Sequence, residues 1–330
     1  MSNLPTVFVT GGAGLVGSAV VRQLASRGHA VVVYDNLATG RREFVEGIPG
    51  VTLVTGDVLV AEALRAALRN SKATRAIHCV GDTYVPSSYV VPDRFFSINV
   101  LGTLGALKAS LAANVEKFVL LSSAEVYGQL PGPISESERL APVNTYAVSK
   151  LAADRLCATF QTEHGLPCVV LRLFNTYGPR ETHPYVVPEI IRQLSRGPTL
   201  RLGNIEARRD FTYVDDTARA IVDCMEVDQG SVINIGSGHA VSVRDLVSQI
   251  ARLMGIAADV RLSPDRLRRQ DIDTLVCDNS RLVSITGWHP TVDIEEGLRR
   301  TIAWFRENSC QWPWERTEFD PIVNLGPDFV

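Results

Sequence analysis

The stretch VFVTGGAGLVGSAVVRQLASRG, Val7 to Gly28, sets Gly11, Gly12, Gly14 and Gly17 between an apolar run and an amphipathic one. Residues without a Cβ let a chain turn sharply out of a strand and bring its backbone close to a ligand. The free amides and dipole at the start of the following helix favour an anion such as a pyrophosphate. The next apolar run, AVVVYD, ends on Asp35, where a carboxylate can accept hydrogen bonds from ribose hydroxyls. A strand, a glycine turn, a helix and a strand-end acid in this order point to a dinucleotide. Asp35 would repel a ribose phosphate, which favours NAD over NADP, although Arg41 and Arg42 stand nearby.

Further along, short apolar runs alternate with helical periods. After TVFVT and AVVVYD come VTLVTGD, RAIHCV, KFVLLSS and PCVVLRLF, separated by helical stretches at Gly14 to Arg27, Ala61 to Arg69, Pro92 to Ala113 and Thr145 to His164. Strands this uniformly apolar are buried on both faces. That predicts an α/β fold, a Rossmann-type doubly wound parallel sheet with helices on either side and ligands at the strands' carboxyl ends. Beyond Phe174 the rhythm loosens, with helices near Val186 to Arg196, Val243 to Met254 and Asp293 to Glu307. We expect an NAD-binding domain over residues 1–173, to which the chain returns at 213–238. A smaller C-terminal α/β substrate-binding lobe is expected from 174–212 and 239–308, and a tail from 309–330. The tail carries Trp312, Trp314, Phe319 and Phe329 without a period, and either packs on its own subunit or meets a second one.

Composition removes several other classes. A net charge of -3 over 330 residues gives no reason to expect nucleic acid or an anionic membrane. The six cysteines show no CxxC pair and no close His partner, so neither a metal cage nor a disulfide framework is implied. No uninterrupted apolar run of membrane-spanning length and no leader are read from the sequence, which gives a cytoplasmic expectation.

YAVSK puts Tyr146 and Lys150 four apart on a helix, on one face. A tyrosine ionises near pH 10, so it accepts a proton at neutral pH only if positive charge steadies the phenolate. Lys150 and an oxidised nicotinamide would supply that charge, so the pair can take a proton from an alcohol while hydride leaves. Ser123, at the end of KFVLLSS, can hydrogen-bond the same oxygen. Asp57, at the end of VTLVTGD, suits an adenine amino group or a solvated turn.

TGGAGLVG, YDNL, NVLGT, SSAEVYG, YAVSK, LRLFNTYGPR and RRDFTYVDD, in that order, resemble the extended short-chain dehydrogenases/reductases that modify nucleotide sugars: 4-epimerases of the UDP-glucose 4-epimerase type, 4,6-dehydratases and uronate decarboxylases. The likeness covers roughly residues 5 to 308. It implies a catalytic set of Ser123, Tyr146 and Lys150. It implies cofactor contacts at Gly11, Gly14, Leu15, Val16, Gly17, Asp35, Asn36, Asp57, Val58, Val80, Asn99, Tyr146, Lys150 and Tyr177, with Tyr177 near the nicotinamide and Asn99 supporting the active-site helix. Asn175 would touch the sugar nucleotide, Arg209 its diphosphate, and Arg268 with Asp271 the diphosphate and ribose, Arg268 being readable also as a surface arginine. A homodimer through the helices at 92–113 and 145–164 is implied as well. Where relatives often have HLAA, this chain has HCVGD. Val80 and Gly81 remain small enough for a cofactor to pass, His78 reads as a core residue, and His183 as an exposed loop histidine.

Oxidation of a sugar C4 hydroxyl acidifies C5. Loss of water from C6 then needs a base and an acid, because hydroxide leaves poorly at neutral pH. In relatives that eliminate water, an acid and then Glu follow the Ser or Thr; here the pair is Ala124 and Glu125. A methyl group cannot donate a proton, and an epimerase needs only rotation of the ketone and return of hydride. The expectation is therefore an NAD-dependent 4-epimerase. The alternatives are a 4,6-dehydratase with Glu125 as C5 base, or a uronate-type epimerase or decarboxylase.

Overall fold

The computed structural model describes residues 4–268, 270–308 and 312. Five parallel strands, β1 (Val7–Thr10), β2 (Val31–Asp35), β3 (Val51–Thr55), β4 (Arg75–His78) and β5 (Lys117–Ser123), come first in the chain. With β7 (Cys168–Leu173) and β11 (Val232–Ile235) they make a seven-stranded sheet in the order β11-β7-β5-β4-β1-β2-β3. Alternate strand residues enter two separate cores. Val7, Val9, Val31, Val33, Val119 and Leu121 pack with helices α1 (Leu15–Ser26) and α8 (Val214–Asp223) on one face. Phe8, Tyr34, Phe118 and Leu120 pack with α2 (Ala61–Ser71), α5 (Gly102–Ala112) and α6 (Thr145–His164) on the other. Burial on both faces is what the uniformly apolar strands require.

The chain order reverses between β1 and β4, which pair directly, so their carboxyl ends open the crevice where such sheets bind ligands. Two short helices, α3 (Val85–Ser88) and α4 (Pro92–Phe95), lead from β4 toward α5. The helix expected over 92–113 is not regular: α4 runs into a π-helical stretch, Phe96–Leu101, before α5 begins. Pro92–Ala112 is long and apolar enough to cross a membrane by length and composition alone, though Asp93, Arg94 and Lys108 interrupt it. In this fold 44% of that window is buried, and the π-helical turn carries Asn99 into the interior.

A second sheet joins β6 (Pro133–Ile134), β10 (Arg208–Tyr213), β12 (Ala240–Ser242) and β14 (Thr274–Cys277), with β8 (Asn175–Tyr177) pairing to β10. Around it lie α7 (Val186–Arg196), α9 (Val243–Met254) and α11 (Ile294–Glu307), and a two-stranded ribbon of β9 (Thr199–Leu202) with β13 (Asp259–Leu262), while α10 (Ser280–Thr286) packs on β11 and α8. Most of the expected tail lies outside the described residues; Trp312 packs on Phe305, ring centroids 4.6 Å apart.

Candidate active site

The glycine turn is shaped for close approach at two points. Gly11 has φ +69, and a Cβ there would stand 2.8 Å from the Val80 backbone nitrogen across the β1/β4 crevice. A Cβ on Gly17 would collide with the Gly11 carbonyl, so α1 can leave β1 at this angle only with glycine. Gly14 starts α1, with Leu15 and Val16 in its first turn, and neither a side-chain cap nor an acidic residue covers that turn. Its amides are arranged to receive an anion.

Asp35 is buried at the end of β2, and burial pushes its carboxyl up while the amides of Leu37 and Ala13 oppose the shift. Each oxygen accepts one amide, Oδ1 from Leu37 at 2.8 Å and Oδ2 from Ala13 at 2.9 Å. A lone pair on each remains for ribose hydroxyls. Asn36 donates to Asp57 Oδ2 at 2.9 Å, and the other Asp57 oxygen accepts the Leu59 amide. Val58 is buried against α5, where a Cβ on Gly102 would stand 3.0 Å from its Cγ2. The nearby Arg41 side chain pairs with Glu43 and Arg42 donates to Thr55, so both have protein partners. Glycine turn, uncapped helix start and ribose acid together fit NAD.

At the other end of the crevice, α6 delivers Tyr146 and Lys150 beneath β5. Lys150 is buried and donates from Nζ to the Leu121 carbonyl at 2.9 Å. Burial lowers its pKa to about 8, against the pull of the nearby Asp154 carboxylate. A Cβ on Gly81 would sit 2.9 Å from that Nζ, so glycine in HCVGD leaves the ammonium its room. The Tyr146 hydroxyl hydrogen-bonds Ser123; burial raises its pKa, that bond opposes the rise, and the charges of Glu125 and Asp82 add to it. Asn99 accepts the Asp82 amide at 2.8 Å and donates to Ser149 Oγ at 2.9 Å, tying the π-helical turn to α6. The Asn99 amide faces these protein groups.

Glu125 turns its carboxylate toward Asn144 and Arg268. Its amide donates to Ser123 Oγ at 3.2 Å, Asn144 donates to Oε2 at 2.7 Å, and Arg268 Nη1 lies 3.5 Å from Oε1. Arg209 pairs with Asp271 at 2.8 Å, and Asn204 donates to the other Asp271 oxygen. The fold thus brings Arg209 to Arg268 and Asp271, about 60 residues further along the chain, beside Glu125. Asn175 opens β8, level with Phe211 in the neighbouring β10. Ala124 is 1% exposed, within an apolar cluster containing Val126, Tyr127, Leu130 and Phe174.

Tyr177 packs its ring on Phe211 and Tyr213, and its hydroxyl donates to the Ile294 carbonyl at 3.3 Å. The side chains of a strand alternate, and β8 sends this one toward α11. One expectation needs correction. His183 is not an exposed loop residue. It stacks on Tyr84 with the Tyr185 ring tilted against it, and burial lowers its pKa to about 4, with the charge of Arg94 adding to the fall. His78 is a core residue, hydrogen-bonded to Thr10 at 2.7 Å and stacked on Phe118.

Sequence reasoning missed Asn144, although a helix-capping residue just before YAVSK marks the start of α6. It also missed Asp82, paired with Arg94 at 2.8 Å, and Glu181, 2% exposed, which lies in the same loop as His183. No local pattern signals these two. Among the described residues no group of His, Cys, Asp and Glu is placed to hold a metal ion.

Residues 8–301 match the family model described as GDP-mannose 4,6 dehydratase. A dTDP-glucose 4,6-dehydratase of Streptomyces antibioticus is 32% identical over 93% of this chain and 94% of its own. The UDP-glucose 4-epimerase of Thermus thermophilus, solved with NAD, superposes with a TM-score of 0.85 at 34% identity, covering 91% of this chain and 99% of the other. DesIV, a dTDP-glucose 4,6-dehydratase from Streptomyces venezuelae also solved with NAD, gives 0.86 at 31%, covering 93% and 98%. The glycine turn, the strand-end acid and the buried serine, tyrosine and lysine therefore belong to a chain that is a member of the NAD-dependent nucleotide-sugar epimerase and dehydratase family of extended short-chain dehydrogenases/reductases.

Proposed function

We propose that the protein is a nucleotide-diphosphate-sugar 4-epimerase. Bound NAD supplies a hydride acceptor that later returns the hydride. Tyr146 takes the C4 hydroxyl proton and gives it back, Ser123 holds the same oxygen, and Lys150 steadies the phenolate. Arg209 and Arg268 pair with the diphosphate, whose oxygens suit forked donors. Asp271 and Asn175 line the same ligand.

The observation that carries the choice is Ala124. Its methyl is packed into an apolar cluster and has no proton to give a departing C6 hydroxyl. The dehydratase reading draws on Glu125, whose carboxylate is anchored next to Ser123 where a C5 base would serve. Incubation with UDP-, dTDP- and GDP-hexoses, followed by mass and proton NMR, separates the two. Epimerisation gives an isobaric C4 epimer with no net use of NAD; loss of one water identifies a dehydratase, and loss of carbon dioxide from a uronate a decarboxylase.

Two broader features complete the proposal. The five described cysteines are free thiols, which supports a reducing, cytoplasmic setting. Exposed Phe96, Leu101, Leu111 and Val148 lie along the 92–112 stretch and α6, which supports a homodimer through these helices.

A further inference from the structure

Asn144 has both ends of its amide committed. Its Oδ1 accepts the Ala147 amide at 2.8 Å, capping α6, and its Nδ2 donates to Glu125 Oε2 at 2.7 Å. Glu125 in turn donates its backbone amide to Ser123 Oγ, the atom that also meets the Tyr146 hydroxyl. Tyr146 sits two residues beyond Asn144 in the first turn of α6, so the contacts close a ring: Ser123, Glu125, Asn144, the helix start, Tyr146 and Ser123 again. The other Glu125 oxygen faces Arg268 at a longer 3.5 Å, and that arginine reaches in from the second lobe and is 32% exposed.

We infer that Asn144 is a positioning residue for the reaction: through Glu125 it holds the end of β5 against the first turn of α6, keeping the Tyr146 phenol on Ser123 when Arg268 turns to the substrate's diphosphate. The clause about Arg268 rests on the proposed function; the ring does not. Glu125 has a firm partner on its own lobe and a looser one across the opening, so its charge stays beside Tyr146 whichever way Arg268 points. That charge adds to the rise of the Tyr146 pKa. The other charged and titratable groups around the phenol are Asp82 with Arg94, Lys150, and Tyr185 with Glu181 and His183 behind it.

The test needs no nucleotide sugar. Phenolate absorbance of the NAD-loaded protein is titrated with base, and the same titration of Tyr146→Phe is subtracted to leave Tyr146 alone. Glu125→Gln is expected to lower the midpoint by about one unit. Asn144→Ser keeps a helix cap but no donor for Glu125, whose carboxylate then moves to Arg268; the midpoint falls in the same direction, and no further in the double variant. Asn144→Asp also keeps the cap but adds a like charge, so the midpoint rises, and this variant reads the coupling even if Asn144→Ser folds poorly. A midpoint that ignores both Asn144 variants, or an Asn144→Ser shift undiminished in the Glu125→Gln background, overturns the proposal. Because only the phenol is observed, these outcomes stand whether or not any sugar in the panel turns over.

Discussion

A phenol accepts a proton near neutral pH only if something outweighs its burial, and Tyr146 begins on the wrong side of that balance, raised by desolvation and by Glu125 and Asp82. Lys150, at about 8, is the buried cation able to tip it back when a substrate oxygen arrives. Tyr146→Phe should therefore cut turnover by roughly 10²- to 10⁴-fold, while NAD, counted by absorbance in the purified protein, stays bound. Unchanged turnover would remove the tyrosine from the mechanism. Glu181 gives a pH prediction. Burial lifts its carboxyl from 4.5 to about 8, so the folded protein holds a proton there that the unfolded chain sheds above 4.5. Stability on this account is lost as pH rises through that window, and Glu181→Gln, which mimics the protonated form, should gain on the wild type by up to about 1.4 kcal/mol per unit before levelling off. Urea unfolding of both proteins at pH 5, 6.5 and 8 measures it; a constant difference sinks the assignment. The residues legible from sequence were those with a local pattern, the glycines, Asp35, Tyr146 and Lys150. The Arg209–Asp271 and Arg268–Glu125 pairs join positions 62 or more residues apart, and no spacing rule reaches across that distance.

The strands and helices of the large sheet were readable because their apolar runs answer directly to burial: KFVLLSS is β5 and Thr145 to His164 is α6. What the pattern could not give was the π-helical turn at Phe96–Leu101, since an extra residue per turn is set by the contacts Asn99 finds on Asp82 and Ser149. The short strands β6, β8, β12 and β14, two to four residues each, hold too few side chains to show a period. A three-residue strand such as β8 does not reveal which way its side chains alternate. The turn between β1 and α1 is the element whose geometry tolerates least. Gly17→Ala would press a methyl into the Gly11 carbonyl, so α1 must shift away from β1. The expected outcome is protein purified without NAD and less stable by about 2 to 4 kcal/mol in urea; a variant that keeps both would show that the turn has slack.

At the scale of the molecule, the proposed dimer rests on the exposed apolar residues of the 92–112 stretch and α6. Leu101, 57% exposed, is the one to charge. Leu101→Glu should convert a dimer to a monomer by sedimentation without altering the circular dichroism, and a wild type that already sediments as a monomer would refute the pairing. In the second sheet, β6 arises from the loops above the large sheet yet pairs with β14, and Asn234 of β11 both donates to the Ile134 carbonyl and receives the Tyr127 hydroxyl. These contacts tie the second sheet to the large one. Parting the two sheets would therefore break the buried Asn234 amide bond and the Tyr127 phenol bond together.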